Sequence, residues 1–513
     1  MTFFESLIVL MGVATLLLQV ARRLCLPYPS MLAAAGVAVA AIPGAPSIPI
    51  TPETALALFI APILIDAAYD FPLGAARKLL VPLIVYAVIA VLVTAVLVAL
   101  LGVWMVGLPL AAALTLGAIV APPDAAAATA VLSNLPVSRR VEAVLKGESL
   151  FNDATALLLF TAAVTIQSRG GLDGATALQL GLAVPGGILL GIALGLLIRR
   201  LTPFVENTVG GTLSQFVYAF ATWLIAERLH LSAVLATVAS AMTIAASIDE
   251  RDSPRMRVHS FAVWTTVVFL LNVLAFLLMG MQARTIFSAM NSAQLHRAAG
   301  FAAAVVVAVI LARLVIALVY RLYAVARHRR RGGLAPVLPA ESFLIGWTGM
   351  RGLVTLATSF ALPANFPERD MIVLVAFAVV LATLIIQGAT LGPLIRWFGL
   401  NREDEAHEEL EQARVALAEA ALVRLEKETG DAADALRLSY REARDAARSP
   451  QTHKPYAHRN GLAVAVVLAE RRRLDELRAE HVVGPDAYLA LQEDLDWKQL
   501  AVTGDEDRRI DES

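Results

Sequence analysis

About thirteen predominantly apolar stretches, each about 17 to 25 residues long, recur through the first four hundred positions of this chain. As helices they are long enough to cross a hydrocarbon core of about 30 Å. This recurrence, more than any motif, limits what the chain can become. With 58% apolar and 17% charged residues, against roughly 45 to 50% apolar in a soluble domain, a water-soluble globule is excluded. Cys25 is the only cysteine, which rules out an internal disulfide and argues against redox chemistry. The net charge of −1 hides a split. From Glu403 onward there are 26 acids and 16 bases, leaving 17 acids and 26 bases before it. The reading is an all-α polytopic membrane protein with about 13 transmembrane helices over residues 1–400 and an acidic, helical cytoplasmic domain over 401–513.

Loop charge sets the orientation, because Lys and Arg accumulate on the cytoplasmic side. Loops after odd-numbered spans hold about 17 basic residues, including Arg139, Arg140, Arg199, Arg200 and the run Arg321 to Arg331, against about 5 after even-numbered spans. This places the N-terminus outside and the tail in the cytoplasm, in a bacterial inner (plasma) membrane. The first span is expected to be retained, because its basic pair Arg22 and Arg23 follows the apolar run instead of preceding it. The regions split at Arg228 and His230 read as two spans, 212–229 and 231–248.

An ionisable side chain inside a span costs a few kcal/mol or more and marks a functional site by default. The spans hold Asp66, Asp124, Glu148, Asp153, Arg313 and Arg351, with Asn152 and Asn272 as uncharged companions. Glu227, Asp249 and Glu341 lie near span ends, where water reaches them. Span five (108–133) carries Pro122 and Pro123 in its middle. Proline removes a donor and clashes with the preceding turn, so a break with unpaired carbonyls is predicted there. Such carbonyls can coordinate a cation. Asp124 then stands at the start of the second half-helix, as a cap or as an ion ligand. In span six (143–167), Glu148 and Asn152 are four residues apart, as are Ser149 and Asp153, which gives two adjacent polar stripes on one helix. A hydroxyl and a carboxylate one turn apart suit a hard monovalent cation, although Ser149 and Asn152 also suit bonding to neighbouring helices. Span twelve (340–362) has Gly346, Gly349, Arg351 and Gly352, a weakened helix around a buried charge. If spans one to six and eight to thirteen are inverted repeats, spans five and twelve correspond, as in transporters with paired broken helices.

The segments Gly147-Glu148-Ser149-Leu150-Phe151-Asn152-Asp153-Ala154, Phe269-Leu270-Leu271-Asn272 through Gly280, and Arg351-Gly352-Leu353-Val354-Thr355-Leu356-Ala357 together resemble the monovalent cation:proton antiporters, in particular the electroneutral sodium/proton exchanger branch and its bacterial members. The resemblance implies two inverted six-helix repeats with two broken crossing helices, a homodimer, and exchange of Na+, or Li+ or K+, for H+. Under it Asp153 is the carboxylate that binds proton or metal ion, Ser149 a hydroxyl ligand, and Asn152 the replacement for a second aspartate found in electrogenic relatives. Glu148 and Arg313 are implied to form a buried ion pair, and Arg351 to supply the positive charge opposite. Two departures stand out. Pro123-Asp124-Ala125 replaces the Thr-Asp-Pro of many relatives, leaving the Pro123 carbonyl to serve as ligand, and Asp66 stands where many have glutamate.

The expected metal site is therefore Asp153, Ser149, Asp66 and the Pro123 carbonyl, with Asn152 and Asp124 beside them. No cofactor is required beyond the transported ions. The partners expected are monovalent cation, proton, membrane lipid and a second copy of the chain, not nucleic acid. Two transport alternatives are a potassium/proton antiporter and a proton-coupled organic anion transporter. An intramembrane hydrolase is disfavoured, because the sequence around Ser149 lacks the second glycine of a nucleophile elbow and no His-Glu-x-x-His motif occurs. The chain is read as a transporter and not an enzyme.

Overall fold

A computed structural model describes residues 3–24, 28–40, 54, 56–69, 71, 74, 79–124, 128, 132, 137–171, 173–205, 208–246, 254–281, 292–332, 335–400, 403–448 and 450–503. Cys25, Arg77, Lys78, Asp249, Arg251, Arg284 and most of the second half of span five lie outside the described residues. No strand occurs among those described. The chain divides into two compact units, with the boundary after Asn401.

The first unit contains helices α1 (Phe3–Leu24), α2 (Tyr28–Ala40), α3 (Leu56–Tyr69), α4 (Leu80–Val106), α5 (Leu110–Val120), α6 (Arg139–Arg169) and α7 (Gly174–Leu201). It continues with α8 (Val209–Arg228), α9 (Ala233–Ala245), α10 (Pro254–Met281), α11 (Ser292–Arg331), α12 (Pro339–Trp347), α13 (Leu353–Phe360) and α14 (Arg369–Trp397). Among the described residues, six helices are individually long and apolar enough to cross a membrane: α4, α6, α7, α10, α11 and α14. Shorter apolar helices accompany them, including α2, α3, α5 and α9.

Local chemistry explains the boundaries. α4 stops at Gly107 and α6 at Gly170, both with positive φ, the left-handed cap that glycine adopts without a Cβ clash. Between α8 and α9 the chain turns at His230, whose φ is 55°. The Ser232 hydroxyl then accepts the Leu235 N–H at 3.3 Å and caps α9. α11 runs past the apolar limit at Tyr323 to Arg331, because arginine and alanine favour helix and no glycine intervenes until Gly332, φ 67°. Single π-turns widen α3 at Leu56–Ile60 and α4 at Val85–Ile89.

Lipid is as apolar as leucine, so helices in a membrane associate by close packing. On α7, Gly187, Gly191 and Gly195 repeat every fourth residue and lie against Ser232, Ala236, Ser240 and Thr243, so that the two backbones nearly touch. Arg351, at 1% exposure, is among the largest fully buried side chains of the unit, alongside Tyr86, Trp223 and Phe276. A guanidinium in that company needs partners, and these define the site below.

The second unit comprises α15 (Glu403–Leu425), α16 (Asp431–Arg448), α17 (Pro450–Ala479) and α18 (Pro485–Val502), with successive helices packed side by side. The sequence predicts a break over 449–455 and a new helix near 461. The helix instead resumes at Pro450, in the first turn, where a missing N–H costs nothing. Arg448–Glu419, Arg459–Glu442 and Arg471–Asp496 link consecutive helices, and Val467, Leu474 and Leu495 form an apolar cluster between α17 and α18. Such exposed pairs contribute about 0.2 to 1 kcal/mol each.

Candidate functional site

The site is built where α5 ends and where the chain between α12 and α13 leaves the helix. α5 stops at Val120 before Pro122 and Pro123, so its last carbonyls have no intrahelical donor. Arg351 supplies the donors: Nε reaches the Val120 carbonyl at 2.8 Å and Nη2 the Ala121 carbonyl at 3.2 Å, while Nη1 donates to Gly349 O. A cation at a helix C-terminus also meets the negative end of the dipole. The carbonyls freed by the proline break are therefore partly taken by a guanidinium of the opposing break.

The exchange is reciprocal. The Asp124 N–H donates to Met350 O at 2.7 Å, and the Asp124 carboxylate accepts the Leu353 N–H at 3.1 Å. Asp124 thus caps the N-terminus of α13, a helix of the other break. The second half of span five, at whose start the sequence places Asp124, lies outside the described residues apart from single positions; the helix end that Asp124 does cap belongs to a different segment. Asp124 also lies within electrostatic reach of Asp153.

Gly352 makes that cap possible. A Cβ built there would lie 2.7 Å from the Asp124 Cβ and overlap its carboxylate. Gly352→Ala is expected to expel the cap and to lower stability by at least the roughly 1 to 2 kcal/mol that a lost N-cap costs. The midpoint of thermal unfolding in detergent reads this out, and an unchanged midpoint contradicts it.

α6 carries the remaining groups. Glu148 and Arg313 of α11 are 1% and 3% exposed and pair bidentately, with Nη2 to Oε2 at 2.8 Å and Nη1 to Oε1 as the second bond. Arg351 lies within electrostatic reach of both. Asn152, with no exposure, donates from Nδ2 to the Pro123 carbonyl at 2.8 Å. Its Oδ1 is buried and meets no partner among the described residues. Asp153 is 6% exposed on the adjacent stripe, and Ser149 is half-buried one turn before it. Asp66 is half-buried on α3, a helix packed against α6. Asn152, Pro123, Asp124 and Asp153 are thereby brought to one place, with Glu148, Arg313 and Arg351 beside them.

Two contributors, Thr383 and Tyr86, have no signal in the sequence, and a third, Gly349, stands out there only as a weak point of the helix. Thr383 on α14 accepts the Arg351 N–H at 3.0 Å while donating to Val379 O at 2.8 Å. Threonine commonly back-bonds within an apolar helix, so nothing in the sequence distinguished this one. Gly349 is a slot between two cations: a Cβ there would stand 2.9 Å from Arg313 Nε and 3.0 Å from Arg351 Nη1. Tyr86, buried on the π-turn of α4, lies within electrostatic reach of Glu148 and Arg313 and stacks edge-on with Tyr320 at 5.6 Å.

The profile of the family described as "Sodium/hydrogen exchanger, transmembrane" matches residues 8–397. The chain belongs to this exchanger family. A relative named "Sodium, potassium, lithium and rubidium/H(+) antiporter", from Bacillus pumilus, is 30% identical over 391 residues, covering 72% of this exchanger and 58% of that protein. The "Na(+)/H(+) antiporter NhaH" of Halobacillus dabanensis is 30% identical over 68% of this chain and 83% of its own. Among solved structures, the sodium proton antiporter MjNhaP1 from Methanocaldococcus jannaschii at pH 8 superimposes with a TM-score of 0.60. The match covers 76% of this chain and all of that one. At 16% identity this likeness speaks for the fold alone. Membership places the exchanger among multi-pass transporters, not among enzymes.

Proposed function

We propose that this exchanger carries out electroneutral antiport of one monovalent cation, with Na+ as its first substrate, for one proton, by competition at Asp153. The observation that carries the reading is the pairing of the buried Asp153 with a neutral neighbour, Asn152, whose Oδ1 is buried without a partner among the described residues. One carboxylate that exchanges a proton for a cation moves no net charge. Glu148 is already committed to Arg313, and Asp124 to the α13 N-terminus.

Ionised Asp153, Asn152 Oδ1, the Ser149 hydroxyl and Asp66 offer hard oxygen ligands to an alkali metal ion. The Pro123 carbonyl keeps one lone pair for the ion after accepting from Asn152. Protonation of Asp153 removes the charge that holds the ion, and the competition drives exchange. Thirteen spans in two inverted repeats, with the breaks at 121–124 and 348–352 as corresponding crossings, account for the reciprocal bonds between them. Alternating access follows from one bundle moving against the other around this crossing. A homodimer in the bacterial inner membrane, N-terminus outside and residues 401–513 as a cytoplasmic domain, completes the proposal.

The test uses everted membrane vesicles containing the protein. A pre-formed pH gradient is expected to dissipate when NaCl is added, with LiCl and KCl ranking the cations. The relative from Bacillus pumilus, named for four alkali cations, is the reason to include potassium. Clamping the membrane potential with valinomycin and potassium should leave the initial rate unchanged. A rate that follows the potential overturns electroneutrality, and no response to any alkali cation overturns the function.

A further inference from the structure

α11 is a single helix of 40 residues, about 60 Å long at 1.5 Å per residue, twice the thickness of a hydrocarbon core. Its exposed apolar side chains form a stripe through Leu311, Val315, Leu318 and Leu322, each more than half exposed and spaced as one helical face. An exposed apolar face on a helix long enough to span a membrane is one that acyl chains can cover. Continued at the same spacing, it runs onto Arg329 and Arg330, both exposed, about two turns beyond Leu322. Tyr323, 52% exposed, marks the level where the stripe leaves the apolar layer.

A second observation lies on the same stretch. Arg321 and His328, two turns apart and half-buried, have Nε and Nδ1 shielded from solvent and without a partner among the described residues. Arg140, at the start of α6, also has a buried Nε without a partner, and both it and Arg327 act on Tyr320. No acidic residue occurs from 253 to 340. Arginines thus gather where the exposed apolar stripe ends, and no carboxylate of α11 itself neutralises Arg321, Arg327, Arg329, Arg330 and Arg331.

We propose that the arginine-rich end of α11 binds the phosphate headgroup of anionic phospholipid, with the acyl chains lying along the face from Leu311 to Leu322. Juxtamembrane arginines are attracted to an anionic surface, and a guanidinium grips a phosphate bidentately. The surface belongs to the helix that carries Arg313, so the lipid contacts the element that holds Glu148 beside the ion site. The inference is independent of which ion the protein exchanges.

The experiment compares the full-length protein with Arg329→Gln/Arg330→Gln, which leaves Arg321, Arg327 and Arg331 to maintain topology. Arg199→Gln/Arg200→Gln serves as a control for loss of basic charge elsewhere. Detergent-solubilised protein is titrated with fluorescent phosphatidylglycerol and, separately, phosphatidylcholine. The expected result is preference for phosphatidylglycerol that falls with added salt, weakened about 25-fold in the α11 variant, at about fivefold per arginine, and unchanged in the control. Soluble glycerol phosphate is expected not to compete at equal concentration. Equal binding of the two lipids, equal loss in both variants, or full competition by glycerol phosphate overturns the proposal. Circular dichroism of the variants checks that they fold.

Discussion

Asp153→Asn is expected to reduce sodium-driven proton movement in everted vesicles to the level of vesicles lacking the protein, while the protein inserts at wild-type abundance. The asparagine has nearly the shape of the protonated acid, and it sits where a side chain only 6% exposed is already accommodated. Folding is therefore spared. What is lost is a buried carboxylate that, unlike Glu148 and Asp124, makes no hydrogen bond among the described residues. Glu148 spends its charge on Arg313, and Asp124 caps α13 with an oxygen that also lies within electrostatic reach of Asp153. Asp153→Glu, which keeps the titration but shifts the oxygens by a methylene, should retain part of the rate. Wild-type exchange in Asp153→Asn would remove the basis for competition at this position.

Glu148→Gln should be the most destabilising substitution among the charged residues of the site, by roughly 3 to 5 kcal/mol, the cost of leaving one member of a buried ion pair uncompensated. Here the cost is compounded. Arg313 loses a bidentate partner, and Arg351, whose guanidinium lies across the Gly349 slot from that of Arg313, loses an anion that acts on both. The double variant Glu148→Met/Arg313→Met removes both charges and fills similar volume, so it is expected to recover most of the stability. Thermal unfolding in detergent measures each protein. If the single and double variants unfold at the same temperature, the pair is not the stabilising unit. If the double variant is stable and still exchanges ions, the pair serves the fold and not transport.

The two predictions separate two kinds of buried charge in one place. In the proposed mechanism Asp153 changes its state, whereas Glu148, Arg313 and Arg351 are held by hydrogen bonds to one another or to backbone carbonyls. The bonds of Arg351 and Asp124 hold the end of α5 against the stretch between α12 and α13. That geometry keeps the Pro123 carbonyl and Asn152 within reach of each other at 2.8 Å.

The sequence by itself determined that the first four hundred residues form apolar helices, because runs of that length and composition have no other stable arrangement in lipid. It also determined where a helix must break, since Pro122 and Pro123 withdraw donors wherever they stand, and which charges lie in the wrong solvent. The pairing of Glu148 with Arg313 was legible only through family resemblance, as the two are 165 residues apart and nothing local connects them. The partners of the break were decided by the tertiary structure. Arg351 satisfies carbonyls of α5, Asp124 caps α13, and Thr383 receives a backbone N–H from a third segment. A hydrogen-bonding side chain states in sequence what it can bond, but not to which distant backbone group, because that depends on how the helices cross. Periodicity fixes the face of a helix, and packing alone fixes what that face meets.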